Sequence, residues 1–452
     1  MSRSSTRSQN MTEGSIPRLL IMFAIPLLLG NIFQQFYNMV DSWVVGNYVS
    51  NEAFSAVGTV GPIINMLIGF FMGLSSGASV VIAQYFGAGK EEEVKKTVHT
   101  AVMMTIVLAV LITVLGLVLM PLMLRLMNVP ENVMPEARRY LSIYFAGVAG
   151  LLFYNIGAAI LQATGDSKRP FYFLATAALM NVVGDLTFIL VFHMGVEGVA
   201  YATIFAQFVS AVLIFRVLLK TDSIVRVEPS KIKIHGEYLA RIIRVGIPAA
   251  LQMAVISFSN IFVQSYINHF GADCMSGWTA YSKVDALMLL PMQSIGLATT
   301  TFVGQNIGVG KVDRVKECVR VSLLLSLAAT VIPMIPVMIF APQLTAFFNS
   351  KPEVITYGTM FLRWISPFYA LTCSSNVQSA ALRGSGDTRA PMLIMIFSFV
   401  IFRQIYLFIM ANFISNTVLP IVMGYPAGWL VCTILTAVYY MKADLTKRVG
   451  VN

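Results

Sequence analysis

The sequence predicts an all-α polytopic membrane protein of twelve transmembrane helices arranged in two six-helix lobes. Composition is the first observation: 57% of the 452 residues are hydrophobic and only 12% are charged, whereas soluble proteins carry about a quarter charged residues. The second is a series of apolar runs along the whole chain, because a helix needs about 20 mostly apolar residues to cross a bilayer. The third is an internal repeat that divides the chain into two halves.

Twelve spans follow from the apolar runs and the polar or Gly/Pro-containing breaks between them. Their predicted ranges are 18–46, 54–83, 95–120, 137–164, 170–192, 197–219, 240–268, 277–304, 315–341, 354–382, 390–412 and 418–441. An even number of spans places both termini on one side of the membrane. The polar start of the chain and the length of the first apolar run argue against a cleavable signal peptide.

Lysine and arginine residues are distributed asymmetrically over the loops. Of the 31, three lie inside spans (Lys283, Arg363 and Arg403) and four lie in or beside odd-numbered loops (Arg125, Arg138, Arg139 and Lys351). The other 24 lie in the two tails and the even-numbered loops. The positive-inside rule then predicts that both termini are cytoplasmic, in an inner or plasma membrane. The net charge of +10 marks these loops and does not indicate a nucleic-acid partner.

Two pairs of segments show that the halves are related. QYFGAGKEEEVKKTV (84–98) matches QNIGVGKVDRVKECV (305–319), and LQATGDSKRP (161–170) matches LRGSGDTRAP (382–391). Both pairs are displaced by 221 residues, an offset that chance similarity would not preserve. Six spans per half is an even number, so the repeat is parallel, with a pseudo-two-fold axis along the membrane normal. Paired bundles of this kind are typical of secondary transporters.

The predicted domain organisation follows from the repeat and the longest polar segment. It consists of an N-terminal cytoplasmic tail, the N-lobe, a cytoplasmic linker, the C-lobe and a C-terminal cytoplasmic tail, at 1–17, 18–219, 220–239, 240–441 and 442–452.

Two aspartates interrupt the apolar runs of the N-lobe. Asp41 shares a helix face with Gln34 and Tyr37, because their spacing is i, i+3 and i+7. Asp185 shares a face with Asn181, four residues earlier on span five. With a rise of about 1.5 Å per residue, both carboxyl groups lie at similar depth in the predicted outer half of the membrane. An ionisable residue inside a span is a hypothesis for a functional site.

Other polar residues inside the spans are weaker candidates. Thr203 and Gln207 share a face of span six. Asp285 is two residues from Lys283, and residues two apart do not face each other on a helix, so no pair is expected and Asp285 is a candidate for lining the C-lobe. Arg403 and Arg363 are expected to anchor helices, because arginine stays charged.

The sequence resembles the MATE (multidrug and toxic compound extrusion) family along nearly its whole length. The resemblance rests on P-x7-Q-x2-Y-N-x-V-D at 26–41, VGQNIGVGK at 303–311 and the two GD(S/T)(K/R) loops. It implies twelve helices in two lobes and export of mostly cationic, lipophilic compounds in exchange for protons or sodium ions. Small-molecule cations and the lipid bilayer are then the expected partners of a protein that functions as a monomer without a cofactor.

Within that family the sequence looks like the DinF-type branch, which keeps two acids in the N-lobe. The resemblance implies a coupling-ion site for H⁺, or for Na⁺, formed by Asp41, Asn181, Asp185 and Thr203. It also implies that substrate is bound by Gln34, Tyr37 and Asn155. NorM-type members use further acids in helices seven and ten. Here span ten has no acid, and span seven offers only Gln252, Asn260 and Gln264, which argues against a NorM-type cation site in the C-lobe.

The chemistry of two neighbouring carboxyl groups favours antiport. Burial and a second carboxylate both disfavour ionisation, so the pair is expected to hold a proton that Na⁺ or an organic cation beside the Tyr37 ring can replace. An enzyme is not indicated, because the sequence shows no nucleophile–base or metal constellation, and a channel is disfavoured by the duplicated lobes. The alternative is a flippase for lipids or lipid-linked saccharides from the same wider superfamily, for which a basic rather than an acidic cavity is expected.

Overall fold

The computed structural model describes residues 10–127 and 129–445, and the secondary structure in these ranges is entirely helical. The helices of the first half are α1 (Ile16–Tyr48), α2 (Asn51–Gly87), α3 (Glu91–Leu126), α4 (Met134–Ala163), α5 (Lys168–Leu186) and α6 (Val196–Lys220). A π-helical segment, Thr187–Val191, continues α5. The all-α prediction is therefore confirmed.

The helices of the second half are shorter after the third. They are α7 (Gly236–Asn268), α8 (Ala272–Gly308), α9 (Val312–Ile339), α10 (Ala341–Phe348), α11 (Pro352–Ile365), α12 (Tyr369–Gly384), α13 (Arg389–Met395), α14 (Arg403–Ile409), α15 (Val418–Val422) and α16 (Gly424–Lys442). Two π-helical segments, Ile396–Phe402 and Met410–Ile414, extend α13 and α14 into one span, 389–414.

Within the described ranges, 11 helices are long and apolar enough to cross a membrane. The predicted tenth span, 354–382, differs from the expectation of one continuous helix. It is formed by α11 and α12, which are joined by a 3₁₀ turn at Ser366–Phe368. Pro367 in that turn has no backbone N–H to donate, so the α-helical hydrogen bonding is interrupted there. The two-lobe arrangement of twelve spans is retained, with the tenth span in two pieces.

The internal repeat is visible in the helix ends. Both α2 and α8 have 37 residues, and both of their ends are displaced by 221. Gly89 and Gly310 have φ of 69° and 74°, while Gly165 and Gly386 have φ of 85° and 90°. Glycine adopts positive φ without steric cost, so the turns after α2 and α4 recur in the second half after α8 and α12. The predicted duplication is confirmed.

The chain forms two compact units, which we call the first and the second unit. The first unit contains Ile25–Gly246. The second unit contains Met11–Ala24 and the described residues from Ile247 onward. The chain therefore changes unit inside α1, just before Pro26, and inside α7, just before Pro248.

In the second unit, side chains at the start of α9 and the end of α8 bind the segment that precedes α1. Gln305 Oε1 accepts a hydrogen bond from the Met11 backbone N–H at 2.8 Å. Lys311 Nζ donates to the Thr12 carbonyl at 2.9 Å, and Arg314 Nη2 donates to the Gly14 carbonyl at 2.7 Å. The VGQNIGVGK segment, together with Arg314, thus holds the residues that lead into the first span.

In the first unit, two side chains of α3 bind the segment that precedes α7. His99 Nε2 accepts a hydrogen bond from the Glu228 backbone N–H at 3.0 Å. Thr100 Oγ1 accepts one from the His235 backbone N–H at 3.2 Å. Among the described residues, the two units thus hold matching segments of the repeat with different side chains: His99 and Thr100 in the first unit, and Gln305, Lys311 and Arg314 in the second.

Helices α4 and α6 pack closely against each other in the interior of the first unit. A Cβ atom added at Gly147 would overlap the side chain of Ile204, and one at Gly157 would lie 2.7 Å from Ile214 Cγ2. In a membrane, where lipid is as apolar as leucine, such small residues allow helices to approach and gain packing contacts. The approach brings the polar residues of α4 and α6 into one interior.

Candidate functional site

Asp41 and Asp185 come together in the interior of the first unit. Asp41 lies on α1 and is 8% exposed; Asp185 lies on α5, two residues before its π-helical continuation, and is fully buried. Their carboxyl groups are close enough to share a side-chain hydrogen bond when one of them holds a proton. No other described residue donates a hydrogen bond to Asp41 Oδ1 or to either oxygen of Asp185. The structure thus places two predicted residues in one donor-poor pocket.

Asn181 and Thr203 line the same interior. Asn181 is 1% exposed and its Nδ2 donates to Thr203 Oγ1 at 3.4 Å, joining α5 to α6. This bond uses the amide nitrogen, and Asn181 Oδ1 has no hydrogen-bond partner among the described residues. Carboxylate, amide and hydroxyl oxygens are the ligand types that a hard cation prefers. The four residues of the predicted coupling-ion site therefore offer several uncommitted oxygen ligands.

Tyr140 and Tyr144 of α4 also belong to this interior, although the sequence did not single them out. Tyr140 is 5% exposed, and its hydroxyl interacts with Thr203 and electrostatically with both Asp41 and Asp185. The two rings are stacked, with centroids 6.5 Å apart. Their i, i+4 spacing on the face that also carries Asn155 is the signal that sequence reasoning overlooked.

The predicted substrate residues lie nearby but are not all directed at the carboxyl pair. Tyr37 is partly buried, accepts a weak hydrogen bond from Gln34 Nε2 at 3.5 Å and interacts electrostatically with Asp41. Asn155 instead donates to the Leu151 carbonyl of its own helix at 2.8 Å. Tyr37 and Gln34 thus extend the site along α1, while the Asn155 amide nitrogen is engaged within α4.

The electrostatics of the pocket are those of an acid pair without a fixed counter-ion. Among the described residues, no Lys or Arg forms an ion pair with Asp41 or Asp185. Two ionised carboxylates in contact inside a low-dielectric interior repel each other strongly. One positive charge, either a bound proton or another cation, relieves that repulsion, and so the arrangement can exchange one cation for another.

The polar residues predicted for the C-lobe do not form a comparable cluster. Gln252 accepts from Arg383 at 3.3 Å, and Gln264 donates to Asn268 at 2.7 Å. Asn260 accepts from Arg403, which is 2% exposed. Each of these side chains is engaged with a different neighbour.

Arg403 anchors two helices of the second unit. Its Nε donates to Ser259 Oγ on α7 at 3.0 Å, and its guanidinium lies 4.7 Å from the centroid of the Tyr425 ring. Ser259 Oγ in turn donates to the Phe399 carbonyl, within the π-helical segment before α14. This bond connects α7 to the π-helical segment.

Comparison with known proteins identifies relatives along the whole chain. The family described as MatE matches residues 26–187 and 248–409, one match in each half. The probable multidrug resistance protein YoeA of Bacillus subtilis is 29% identical over 451 residues, covering 98% of this chain and 97% of that protein. The probable multidrug resistance protein NorM of Thermotoga maritima is 27% identical, covering 96% and 94%.

Solved structures share the fold. A transporter of the MOP superfamily from Pyrococcus furiosus superposes with a TM-score of 0.92 at 24% identity, covering 97% of this chain and 98% of that one. At this identity the likeness establishes the two-lobe helical fold alone.

Proposed function

The chain belongs to the MatE family, and from this premise we propose that it is a secondary antiporter that exports cationic, lipophilic small molecules in exchange for H⁺ or Na⁺. Family membership makes it a membrane transporter and not an enzyme. Multidrug resistance proteins are among the relatives that match nearly its whole length, which supports drug efflux. The exchange itself is assigned to the pair Asp41 and Asp185.

One observation carries this proposal: two buried carboxyl groups are in contact, and no cationic residue in the described part of the chain is paired with either. A carboxylate this deep in a membrane protein is costly unless it is paired or functional. With a proton bound, the pair is singly charged and shares one hydrogen bond. Without it, the repulsion between the two carboxylates favours capture of another cation. The pair therefore binds one cation at a time, and this mutual exclusion is the basis of exchange.

The transported ion is either H⁺ or Na⁺. A proton needs only the two carboxyl groups. Sodium needs several oxygen ligands, and the uncommitted oxygens of Asp41, Asn181 and Asp185, with the Thr203 hydroxyl, are of the right type. In this proposal Tyr140 holds Thr203 in place, so that the oxygen atoms remain directed at the carboxyl pair.

The organic cation would enter beside α1. Tyr37 supplies an aromatic face for a cation and Gln34 a polar contact, while Asn155 contributes once its amide leaves the Leu151 carbonyl. Drug and coupling ion need not bind together; each need only stabilise a different arrangement of the transporter. The acidic character of the site favours cationic cargo over an anionic lipid head group.

The orientation follows from the charge distribution. We propose that the protein is a monomer in the cytoplasmic membrane with both termini in the cytoplasm, because the Lys- and Arg-rich loops all follow even-numbered spans. Asp41 then lies in the outer half of the bilayer.

Uptake of a fluorescent cation into proteoliposomes tests the exchange site. A pH gradient and a sodium gradient are imposed separately, so the same assay identifies the coupling ion. Asp41→Asn keeps the shape of the side chain but removes its charge and its titration, and we expect it to abolish gradient-driven transport. Asp222→Asn, at an exposed position in the predicted linker, is the matched control and should transport normally. Transport by Asp41→Asn at the rate of the control would refute the assignment.

A further inference from the structure

The second unit contains an acid inside a predicted span that the exchange site does not use. Asp285 lies on α8, and its Oδ1 accepts hydrogen bonds from two tyrosine hydroxyls: Tyr281, one turn earlier, at 3.1 Å, and Tyr369, at the start of α12. Both tyrosines are almost fully buried, at 2% and 1% exposure. Asp285 therefore links α8 to α12 beside the 3₁₀ turn that interrupts the tenth span.

No cationic side chain neutralises Asp285 within the part of the chain that the structure describes. Lys283 on the same helix is exposed and two residues away. From the neighbouring helices, Tyr369 of α12 and Tyr425 of α16 face it, and Arg403 is engaged by Ser259, Asn260 and the Tyr425 ring.

The other helices packed on α8 contribute no counter-ion. Helix α10 has no ionisable residue, the charged residues of α9 lie at its first three turns, and Arg363 of α11 donates to the Met338 carbonyl. Asp285 is thus an acid inside the bundle that meets only neutral hydrogen-bond donors.

A row of polar side chains leads from Asp285 along α12. Its members are spaced alternately by three and four residues and so share one helix face: Tyr369, Thr372, Asn376, Ser379 and Arg383. Asn376 Oδ1 and Ser379 Oγ have no hydrogen-bond partner among the described residues.

The row lies at the contact between α12 and α8. A Cβ atom at Gly296 of α8 would overlap Asn376 Oδ1, so the absence of a side chain at Gly296 makes room for the amide. The row ends at Arg383, in the last turn of α12, which is the predicted cytoplasmic end of the span. Buried polar atoms without partners have unused capacity to carry hydrogen bonds.

We propose that Asp285 is a proton-binding site of the second unit, reached from the Arg383 end through this polar row. The ligand is a hydrogen ion. It binds a lone pair of Asp285 Oδ2, converting the carboxylate into a neutral carboxylic acid, and no other bond is broken. A metal cation is disfavoured because the tyrosine hydroxyls already donate to Oδ1. This site adds to the exchange at Asp41 and Asp185 and does not depend on it.

Counting protons in detergent-solubilised protein tests the proposal without any transport assay. The background is Asp41→Asn/Asp185→Asn, which lacks the acid pair of the N-lobe. Proton uptake between about pH 8 and about pH 5, a window above the ordinary pKa of an exposed aspartate, is measured with and without Asp285→Asn. We expect one proton fewer per protein with Asp285→Asn. Equal uptake would overturn the proposal.

A control and two further variants keep the test interpretable. Asp273→Asn, at the start of the same helix, removes an acid paired with Lys351 at 2.7 Å and should leave the count unchanged. Should Asp285→Asn fail to fold, Tyr369→Phe removes one donor to the ionised carboxylate and should move the uptake to higher pH; an unmoved uptake would count against the site. Asn376→Leu interrupts the row and should slow uptake in stopped-flow measurements without changing its extent, whereas unchanged kinetics would exclude the row as the path.

Discussion

The two units carry acids in opposite hydrogen-bonding environments on a duplicated scaffold. In the first, Asp41 and Asp185 contact each other and receive no hydrogen bond from other described residues at three of their four oxygens. In the second, Asp285 receives two hydrogen bonds from tyrosines. Two carboxylates in contact repel each other, so the pair gains most from binding a cation, whereas Asp285 is a single acid without that repulsion. This difference supports the proposal that cation exchange takes place in the first unit.

The repeat shows that folding of the scaffold requires neither the acid pair of the first unit nor the Asp285–tyrosine cluster of the second. At the offset of 221, Asp285 corresponds to Ile64 and Tyr369 to Val148, while Asp185 corresponds to Tyr406. Ile64 packs against the apolar core of the first unit, and Val148 is fully buried. The ionisable residues thus occupy positions where the other half folds with a neutral side chain, which indicates that they serve function more than folding.

The largest effect is expected from removing the second acid of the first unit. Asp185→Asn should lower cation affinity by roughly 30-fold or more, because losing one partner of a buried charge interaction costs about 2–5 kcal/mol. Isothermal titration with the transported fluorescent cation measures this. Asp273→Asn, exposed and paired with Lys351, is the control. Unchanged cation affinity in Asp185→Asn would contradict the proposal that the acid pair of the first unit binds the exchanged cation.

A smaller effect, on thermal stability, is expected from removing a buried hydroxyl in the second unit but not from removing one in the first. Ser259→Ala removes the acceptor of Arg403 and Gln404 and leaves buried donors unsatisfied, at a cost of about 1–3 kcal/mol. Thermal unfolding in detergent should show a lower Tm. The control is Ser210→Ala in the first unit, where an equally buried hydroxyl donates only to the Gln207 carbonyl of its own helix and its loss should matter far less. Equal loss of Tm in both variants would contradict the anchoring role of Ser259.

Tyr140→Phe tests whether the Tyr140 hydroxyl contributes to ion binding in the first unit. It removes one hydroxyl that interacts with Thr203 and keeps the ring that stacks on Tyr144. We expect affinity for the coupling ion to change by about threefold to tenfold, the value of a typical hydrogen bond. The exposed Tyr201 provides the control, Tyr201→Phe. If both variants bind the ion equally well, Tyr140 only fills space.

The smallest effect concerns the segment that precedes α7, which contains His235. Burial of its ring, together with the positive charges of Lys233 and Lys96, lowers the pKa of His235. The folded protein then binds this proton less readily than the unfolded chain, so stability should fall as pH drops below the ordinary histidine pKa of about 6.5.

Thermal unfolding across that pH range is the measurement. His235→Gln should reduce the loss of Tm at low pH, while His269→Gln, at an exposed position of the second unit, should not. A pH dependence that survives in His235→Gln would place its origin elsewhere.

Much of the fold was predictable because it depends on local patterns. Apolar runs located the spans, and the repeated glycines at Gly89 and Gly310 fixed the register of the halves. The break at Ser366–Phe368 was missed because apolar composition continues through it, and a proline inside a span does not by itself end a helix. The placement of Asp41 and Asp185 at one depth was also predictable, since rise per residue is constant.

The sequence by itself determined the class of protein, the duplication and which acids lie in the membrane, because hydropathy, periodicity and residue type are properties of one segment at a time. Only the tertiary structure decided which of those acids have hydrogen-bond donors. Tyr369 comes from α12 and donates to Asp285, whereas three of the four oxygens of Asp41 and Asp185 receive no hydrogen bond from other described residues. Hydrogen bonding of a buried side chain depends on neighbours from other helices, and no single segment encodes that arrangement.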